Sequence, residues 1–281
     1  MPDILLDNLC FGEGPRWRSD DDGDALWLSD MHAREVLRVD TAGNRRTVLT
    51  LPDDEPSGLG WLPGGDLLVV SMTRRQLLRF DGRDLTVHAD LEGLASWHCN
   101  DMVVDGNGRA YVGNFGFDLH NRAKPAAAEL ICVAPDGAAR VVATDLMFPN
   151  GTVITPDGAT LVVGESFGGR LTAFDIDDDG SLSGRRVWAE LPEGAVPDGI
   201  CLDAAGGIWS ASPTTNECLR QLEGGEVTHR VQLDQGAFAC MIGAGQLYVL
   251  TAATSEPDAS RAARSARVEV YDAPYPAAGW P

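Results

Sequence analysis

Short apolar runs alternate with turn-forming residues along the whole chain. Six runs of three or four residues have the composition of β-strands, and each follows a turn rich in Asp, Gly or Asn that favours positive φ. No long stretch shows the 3.6-residue period of an amphipathic helix, so the pattern predicts a protein built mainly of strands. The runs are 26–28, 67–70, 110–112, 161–163, 208–210 and 247–250.

A unit of about 40 to 50 residues repeats along the chain. Most units open with one residue followed by Gly, then by apolar residues, a turn and one of the six runs. In the third unit Asp101 takes the place of that Gly. The opening residues are Glu13, Ser57, Asn100, Asn150, Asp198 and Phe238.

The repeat predicts an all-β fold, a six-bladed β-propeller that occupies residues 1–281 as a single domain. One four-stranded sheet cannot cover its own faces, whereas blades packed around an axis cover one another and leave only short edges. Two packed sandwiches would not produce a sixfold repeat. We expect the N-terminal run 4–6 to close the ring as a strand of the last blade, which contains residues 267–271.

Two segments interrupt the repeat. Residues 117–125 lengthen the third unit, and we expect them to form a loop over one mouth of the channel. Residues 254–264 have the composition of an exposed insertion in the last unit. A mobile surface loop is the simpler interpretation of both segments, and it suits the second one better.

Composition and charge limit the expected partners. The chain carries 22 Lys and Arg against 42 Asp and Glu, a formal net charge of −20. This charge repels phosphate backbones and anionic lipid surfaces, so we expect neither nucleic acid nor a membrane as a partner. No run approaches the roughly 20 apolar residues that cross a bilayer.

The six cysteines are scattered and include no Cys-x-x-Cys pair, which excludes the common zinc and thioredoxin-like spacings. The first seven residues lack the basic and apolar regions of a secretory signal. We therefore expect a cytoplasmic protein whose thiols are reduced and mostly buried.

Equivalent positions of a propeller's blades lie on a ring around the axis, so the opening residues of the units should meet at one end of the channel. Four of them present oxygen ligands, namely Glu13, Asn100, Asn150 and Asp198. Two carboxylates and two amides suit one divalent cation, Ca²⁺ first, with Zn²⁺ or Mn²⁺ as alternatives. The competing interpretation is that Asn and Asp stand there as turn residues at the start of a strand.

Four motifs, in order and at blade spacing, resemble the regucalcin-like superfamily of senescence marker proteins, gluconolactonases and luciferin-regenerating enzymes. The resemblance covers nearly the whole chain and is specific for the superfamily, though not for a substrate. The motifs are Gly12-Glu13-Gly14-Pro15-x-Trp17, Cys99-Asn100-Asp101, Pro149-Asn150-Gly151 with Thr155-Pro156-Asp157-Gly158, and Pro197-Asp198-Gly199 with Leu202-Asp203.

The resemblance implies a six-bladed propeller with one catalytic divalent metal ion in the mouth of the channel. It implies Glu13, Asn150 and Asp198 as direct ligands. Asn100 would be a fourth ligand, or would hold a metal-bound water or the substrate. Many members hydrolyse lactones, related ones hydrolyse organophosphates, and other six-bladed relatives catalyse non-hydrolytic reactions.

One position departs from the sugar-lactonase members, which often carry Arg two residues before the Asn of the third blade. Here that residue is His98, preceded by Trp97. Arg offers a forked donor to a polyhydroxylated substrate, whereas His offers one or two donors. We expect a more apolar pocket in which both residues contact the substrate, which counts against gluconolactone itself. A hydrogen-bonded wall residue is the competing interpretation of His98.

The first functional hypothesis is a metal-dependent hydrolase that acts on a small-molecule lactone or a related ester. The metal would polarise the carbonyl, and Asp198 would act as general base on a water, or less readily as a nucleophile. Asn100 and His98 would orient the substrate. His120, on the lengthened loop, is a further candidate for substrate contact.

Other functional classes stay open. A non-catalytic calcium-binding propeller would bind a partner through its open face, and a propeller enzyme could isomerise or cyclise a natural product. A serine hydrolase is disfavoured. Ser166 lies in a Gly-x-Ser-x-Gly sequence, but a β-hairpin is expected there instead of the strand, turn and helix of a nucleophile elbow.

Overall fold

Six antiparallel sheets of four strands surround a central channel in the computed structural model, which describes residues 3–281. The first strand of each sheet contacts the first strands of both neighbouring sheets, so the six blades form a ring. The predicted six-bladed β-propeller is confirmed.

Each blade is a meander in which consecutive strands pair. The N-terminal strand β1 (Asp3–Leu9) belongs to the last blade. Blade 1 contains β2 (Gly12–Asp20), β3 (Gly23–Asp30), β4 (Glu35–Asp40) and β5 (Arg45–Thr50). Blade 2 contains β6 (Pro56–Trp61), β7 (Leu67–Ser71), β8 (Gln76–Phe80) and β9 (Leu85–Asp90). Blade 3 contains β10 (Cys99–Val104), β11 (Ala110–Asn114), β12 (Ala128–Val133) and β13 (Ala139–Leu146).

The second half of the ring follows the same order. Blade 4 contains β14 (Pro149–Ile154), β15 (Thr160–Glu165), β16 (Arg170–Ile176) and β17 (Leu182–Glu190). Blade 5 contains β18 (Ile200–Leu202), β19 (Ile208–Ser212), β20 (Glu217–Gln221) and β21 (Val227–Gln232). Blade 6 contains β22 (Gly236–Gly243), β23 (Gln246–Ala252) and β24 (Ala266–Asp272), and β1 is its fourth strand.

The ring is closed by the pairing of its two ends. Strand β1 lies antiparallel to β24, with Ile4 opposite Glu269, as the sequence predicted. The six apolar runs form the second strands of the six blades, β3, β7, β11, β15, β19 and β23. Their side chains fill the spaces between blades; Leu68 and Val70 of blade 2, for example, pack in one cluster with Met102 of blade 3.

The Gly that follows four of the six opening residues lets the first strands of adjacent blades approach closely. A Cβ added to Gly151 would lie 2.4 Å from the backbone nitrogen of Ile200. A Cβ added to Gly199 would lie 2.7 Å from the Cα of Ala239. Because real Cβ contacts are longer than this, the repeated Gly is a packing requirement of the narrow end of the ring.

The insertion between β23 and β24 is folded onto the propeller. It contains the short helix α1 (Pro257–Ala263), which packs against a single 3-10 turn at Met31–Ala33. Arg264 donates a 2.8 Å hydrogen bond to the carbonyl of Asn8. Residues 254–264 are an exposed insertion, as expected, and these contacts attach it to the rest of the propeller.

The C-terminal segment after β24 crosses the end of the channel opposite the opening residues. Trp280 pairs with Ile154 and Ala277 pairs with Asp203, so the segment bridges blades 4 and 5. All six cysteines are buried and free, as expected. Within residues 3–281 no helix is long and apolar enough to span a bilayer.

Candidate functional site

The structure brings the four oxygen-bearing opening residues to one cavity. Glu13, Asn100 and Asn150 are the second residues of β2, β10 and β14, and Asp198 precedes β18 by two residues. All four line a cavity of about 810 Å³ at the mouth of the channel. They meet because each occupies the same place in its own blade.

The cavity floor carries more carboxylates than cationic groups. Burial raises the pKa of Glu13 well above its usual range, and the charges of Asp198 and Asp101 raise it further. Burial also raises the pKa of Asp198 to about 8, although a hydrogen bond from Asn150 lowers it. Three carboxylates and the single guanidinium of Arg16 leave two formal negative charges in this group.

The donor set fits a hard divalent cation. Among residues 3–281, the Glu13 carboxylate accepts only a long 3.4 Å hydrogen bond from the backbone of Gly14, and the amide nitrogen of Asn100 is buried with no hydrogen-bond partner. Within residues 3–281 no three His, Cys, Asp or Glu residues are arranged to hold a metal. A site on this floor therefore needs the amide oxygens of Asn100 and Asn150 besides the two carboxylates.

Ser166 orients one of these amides. The Asn150 amide nitrogen donates a 3.2 Å hydrogen bond to the Ser166 hydroxyl, which itself donates to the carbonyl of Pro197 at 2.7 Å. Because the amide also hydrogen-bonds Asp198, its N–H groups face protein and its oxygen is left free to bind a ligand.

Ser166 lies in a hairpin connection, as the sequence predicted. Strand β15 ends at Glu165, one 3-10 turn spans Ser166–Gly168, and β16 begins at Arg170. From the sequence, Ser166 was a candidate only as a nucleophile, and its contact with Asn150 was not predicted. The position of Ser166 in the chain could have indicated this contact, because Ser166 directly follows the strand that pairs with the start of β14.

Phenylalanines form much of the cavity wall, and the sequence analysis missed most of them. Phe115 and Phe148 stack with ring centroids 4.5 Å apart, and Phe167 lies 5.3 Å from Phe148. On the opposite side Phe11 meets Phe238 edge to face at 4.7 Å. Phe11 and Phe148 each precede an opening residue by two positions, but His98 has the same spacing and does not line the cavity. The spacing alone therefore could not identify them.

Trp97 and His98 lie behind the wall and do not line the cavity. Their rings stack 5.0 Å apart, and the His98 ring lies 6.1 Å from that of Phe115. Burial, followed by the charge of His120, lowers the pKa of His98. In the part of the chain that the structure describes, the Nδ1 atom of His98 and the indole nitrogen of Trp97 are buried and have no hydrogen-bond partner. Their contact with a substrate stays a prediction.

Two loops form the rim of the cavity. The lengthened loop of blade 3 contributes Leu119, His120 and Arg122. The insertion of blade 6 contributes Ser255 and Glu256. The structure therefore places His120 at the mouth, where the sequence predicted a pocket residue, and adds a second rim segment that the sequence did not.

His32 fixes the second rim segment, and no sequence spacing indicated it. Its Nδ1 atom lies 3.0 Å from the carboxylate of Glu55, and its Nε2 atom lies 3.1 Å from the carbonyl of Ser255. Burial alone would raise the pKa of Glu55, but the hydrogen bond and charge of His32, together with Arg261, hold it below its usual value. The contacts join blades 1, 2 and 6 beside the cavity.

Comparisons with known proteins find relatives across most of the chain. A family model described as SMP-30/Gluconolactonase/LRE-like region matches residues 11–253. A 6-deoxy-6-sulfogluconolactonase from Pseudomonas putida is 28% identical over 233 residues, which are 82% of this chain and 78% of that protein. A regucalcin from Gallus gallus is 28% identical over 213 residues, which are 73% of this chain and 69% of that protein.

A solved structure agrees with these sequence relatives. The gluconolactonase from Xanthomonas campestris superimposes with a TM-score of 0.74 at 25% identity, covering 95% of this chain and 89% of that one. The likeness therefore extends over all six blades.

Proposed function

The chain belongs to the SMP-30/gluconolactonase/LRE-like family, and we propose that it is a divalent-metal-dependent hydrolase that opens a lactone or cleaves a related ester. One observation carries the proposal: two carboxylates and two amides from four blades line the same cavity. Relatives that are lactonases support this reaction class. A small-molecule lactone or ester is the proposed substrate.

We propose that Glu13, Asn150 and Asp198 hold the cation, with Asn100 as the fourth ligand or as a substrate contact. Ca²⁺ suits an all-oxygen set, and Mn²⁺ or Zn²⁺ are alternatives. When bound, the cation supplies Lewis-acid polarisation of the substrate carbonyl. Ser166 keeps the Asn150 amide turned so that its oxygen faces the floor.

Asp198 is the proposed general base. Its carboxylate is close to Glu13 and receives a hydrogen bond from Asn150, so its position is fixed. It would remove a proton from water as the hydroxyl adds to the carbonyl carbon. When the ring C–O bond breaks, Asp198 would return that proton to the leaving oxygen, and the product is a hydroxy acid.

A panel of lactones and aryl esters, assayed with and without chelator, tests the proposal. We expect chelator to abolish turnover and added Ca²⁺, Mn²⁺ or Zn²⁺ to restore it. Asp198→Asn should lower kcat by about 10²- to 10⁴-fold. The control Asp84→Asn removes a carboxylate from the surface, far from the cavity.

Two results would count against the hydrolase. The first is a metal-replete protein that turns over nothing in the panel. The second is a chelator effect confined to the melting temperature, which would favour a calcium-binding scaffold instead. If Asp198→Asn retains wild-type turnover, the assignment of the base is wrong.

A further inference from the structure

We infer that the substrate carries an apolar alkyl or aryl body and not a polyhydroxylated ring. This inference rests on the proposed hydrolase function and concerns the substrate class of the same cavity. Two independent features of the wall support it, its aromatic surface and the lack of free polar groups on it.

Aromatic side chains line the cavity on two opposite sides. Five phenylalanines line the cavity, and Met31 and Met72 add two buried apolar side chains to the same lining. Apolar and aromatic walls with a few polar groups are typical of pockets for small apolar ligands, and a volume of about 810 Å³ is large for such a pocket. The wall can therefore remove a sizeable apolar group from water.

Phe167 gives this surface an exposed edge. Its side chain is 48% exposed although it packs edge to face on Phe117, with centroids 5.1 Å apart. Phe167 directly follows Ser166, which hydrogen-bonds the proposed ligand Asn150, and it lines the same cavity. An exposed aromatic side chain beside a floor of polar ligands is placed to cover the apolar part of a bound molecule.

Most polar groups of the wall are already bonded within the protein. Both ring nitrogens of His32 face protein oxygens, the Ser166 hydroxyl donates to Pro197, and the Thr214 hydroxyl donates to Gly194 at 2.7 Å. Binding in this cavity would remove water from each hydroxyl of a sugar lactone. A buried hydroxyl that finds no new hydrogen-bond partner costs free energy. The wall offers few such partners.

The remaining polar side chains stand at the rim and not around the ring of a bound lactone. Within residues 3–281, four polar side chains of the cavity lining above the floor hydrogen-bond no other group, namely His120, Arg122, Ser255 and Glu256. All four are exposed, and Arg122 and Glu256 carry opposite charges. They can contact the outer end of a substrate, but they do not replace a set of hydroxyl partners near the floor.

A chain-length series measures the apolar contribution. The metal-loaded protein is assayed with δ-hexalactone, δ-octalactone and δ-decalactone, and with D-glucono-δ-lactone as the polar counterpart. We expect kcat/KM to rise about fourfold for each methylene that the wall buries. A flat series, or a preference for the gluconolactone, would overturn the inference while leaving the hydrolase proposal intact.

A binding measurement separates failure of the inference from failure of the proposed function. Calorimetry compares 3,4-dihydro-2-quinolinone with D-glucono-δ-lactam, which are non-hydrolysed aryl and polyol analogues. We expect the quinolinone to bind at least tenfold more tightly. If it does so while no lactone is turned over, the hydrolase proposal fails and the apolar site stands. Equal or weaker binding than the polyol lactam, or no binding of either, overturns the inference.

Phe167→Ala tests the wall itself. Loss of the exposed ring should raise KM for δ-decalactone and the Kd of the quinolinone about tenfold, with kcat nearly unchanged. The values for the gluconolactone and its lactam should not move. The matched control is Leu85→Ala, which removes an exposed apolar side chain from β9, away from the cavity. An unchanged KM and Kd in Phe167→Ala would contradict the assigned role.

Discussion

Arg16 on β2 donates a 2.7 Å hydrogen bond to the carboxylate of Asp101 on β10, across the first strand of the blade between them. Both side chains are buried. The same guanidinium donates to the carbonyl of Leu59 at 2.9 Å and to that of Met102. One side chain therefore joins three blades beside Glu13.

Asp101→Ala should be strongly destabilising because it leaves the Arg16 guanidinium buried and unpaired. We expect a loss of about 3–5 kcal/mol in the free energy of unfolding, measured by urea titration. The control is Asp22→Ala, which breaks the exposed pair with Arg46 and should cost no more than ~1 kcal/mol. If the two variants lose similar amounts of unfolding free energy, the buried pair of Arg16 and Asp101 does not stabilise the fold more than an exposed pair does.

The contact between Arg16 and Asp101 shows which features of the structure the sequence could predict. The repeat placed Asp101 where most blades have Gly, because a fixed period is visible in one chain. The repeat could not reveal that Arg16 is the partner of Asp101, since Arg16 is 85 residues away and does not recur at equivalent positions of the other units. Strand order, ring closure and the four converging residues followed from symmetry, which the sequence carries directly.

The sequence was less informative where the symmetry is broken. His32 and Ser255 meet only because the insertion of blade 6 folds back over blade 1, and an insertion has no counterpart in the other units. Trp97 and His98 were expected in the pocket from their distance to Asn100. The packing of Phe115 and His120 in front of them, which depends on the lengthened loop, sets them back from the cavity.

Cation binding should strengthen as the pH rises. Burial raises the folded-state pKa of Glu13 and that of Asp198, the latter to about 8, so protons compete with the cation up to that pH. Without a cation, the folded state binds these protons more tightly than the unfolded chain does. The free energy of unfolding of the cation-free protein should therefore fall as the pH rises from about 4 towards 8.

Melting curves between pH 5.5 and 8 check the direction of both pH dependences, with chelator in one series and Ca²⁺ in the other. We expect the stabilisation by Ca²⁺ to be larger at pH 8 than at pH 5.5. Asp198→Asn should flatten the chelator series, because it removes one of the two titrating groups. A Ca²⁺ effect that is equal at both pH values would mean that protons and cation do not share these carboxylates.

Gly151→Ala should disturb the floor through the backbone. The new Cβ would lie 2.6 Å from the carbonyl oxygen of Asp198, so the segment that carries the proposed base has to move. We expect a loss of about 1–3 kcal/mol in the free energy of unfolding and weaker Ca²⁺ binding by calorimetry. Gly93→Ala, where a Cβ meets nothing within 4 Å, is the control. Wild-type Ca²⁺ affinity in Gly151→Ala would argue against a close fit at this position.

His32→Ala should release the rim segment of blade 6 while leaving the propeller intact. The variant loses the contacts to the Ser255 carbonyl and to Glu55, so hydrogen exchange of the amides in residues 253–264 should speed up. Exchange in the core strands, β7 for example, should not change. His229→Ala, which removes an exposed histidine from β21, is the matched control. If residues 253–264 keep their wild-type protection in His32→Ala, the segment is held by Arg264 and its bonds to Asn8, and His32 only fills space beside Phe11.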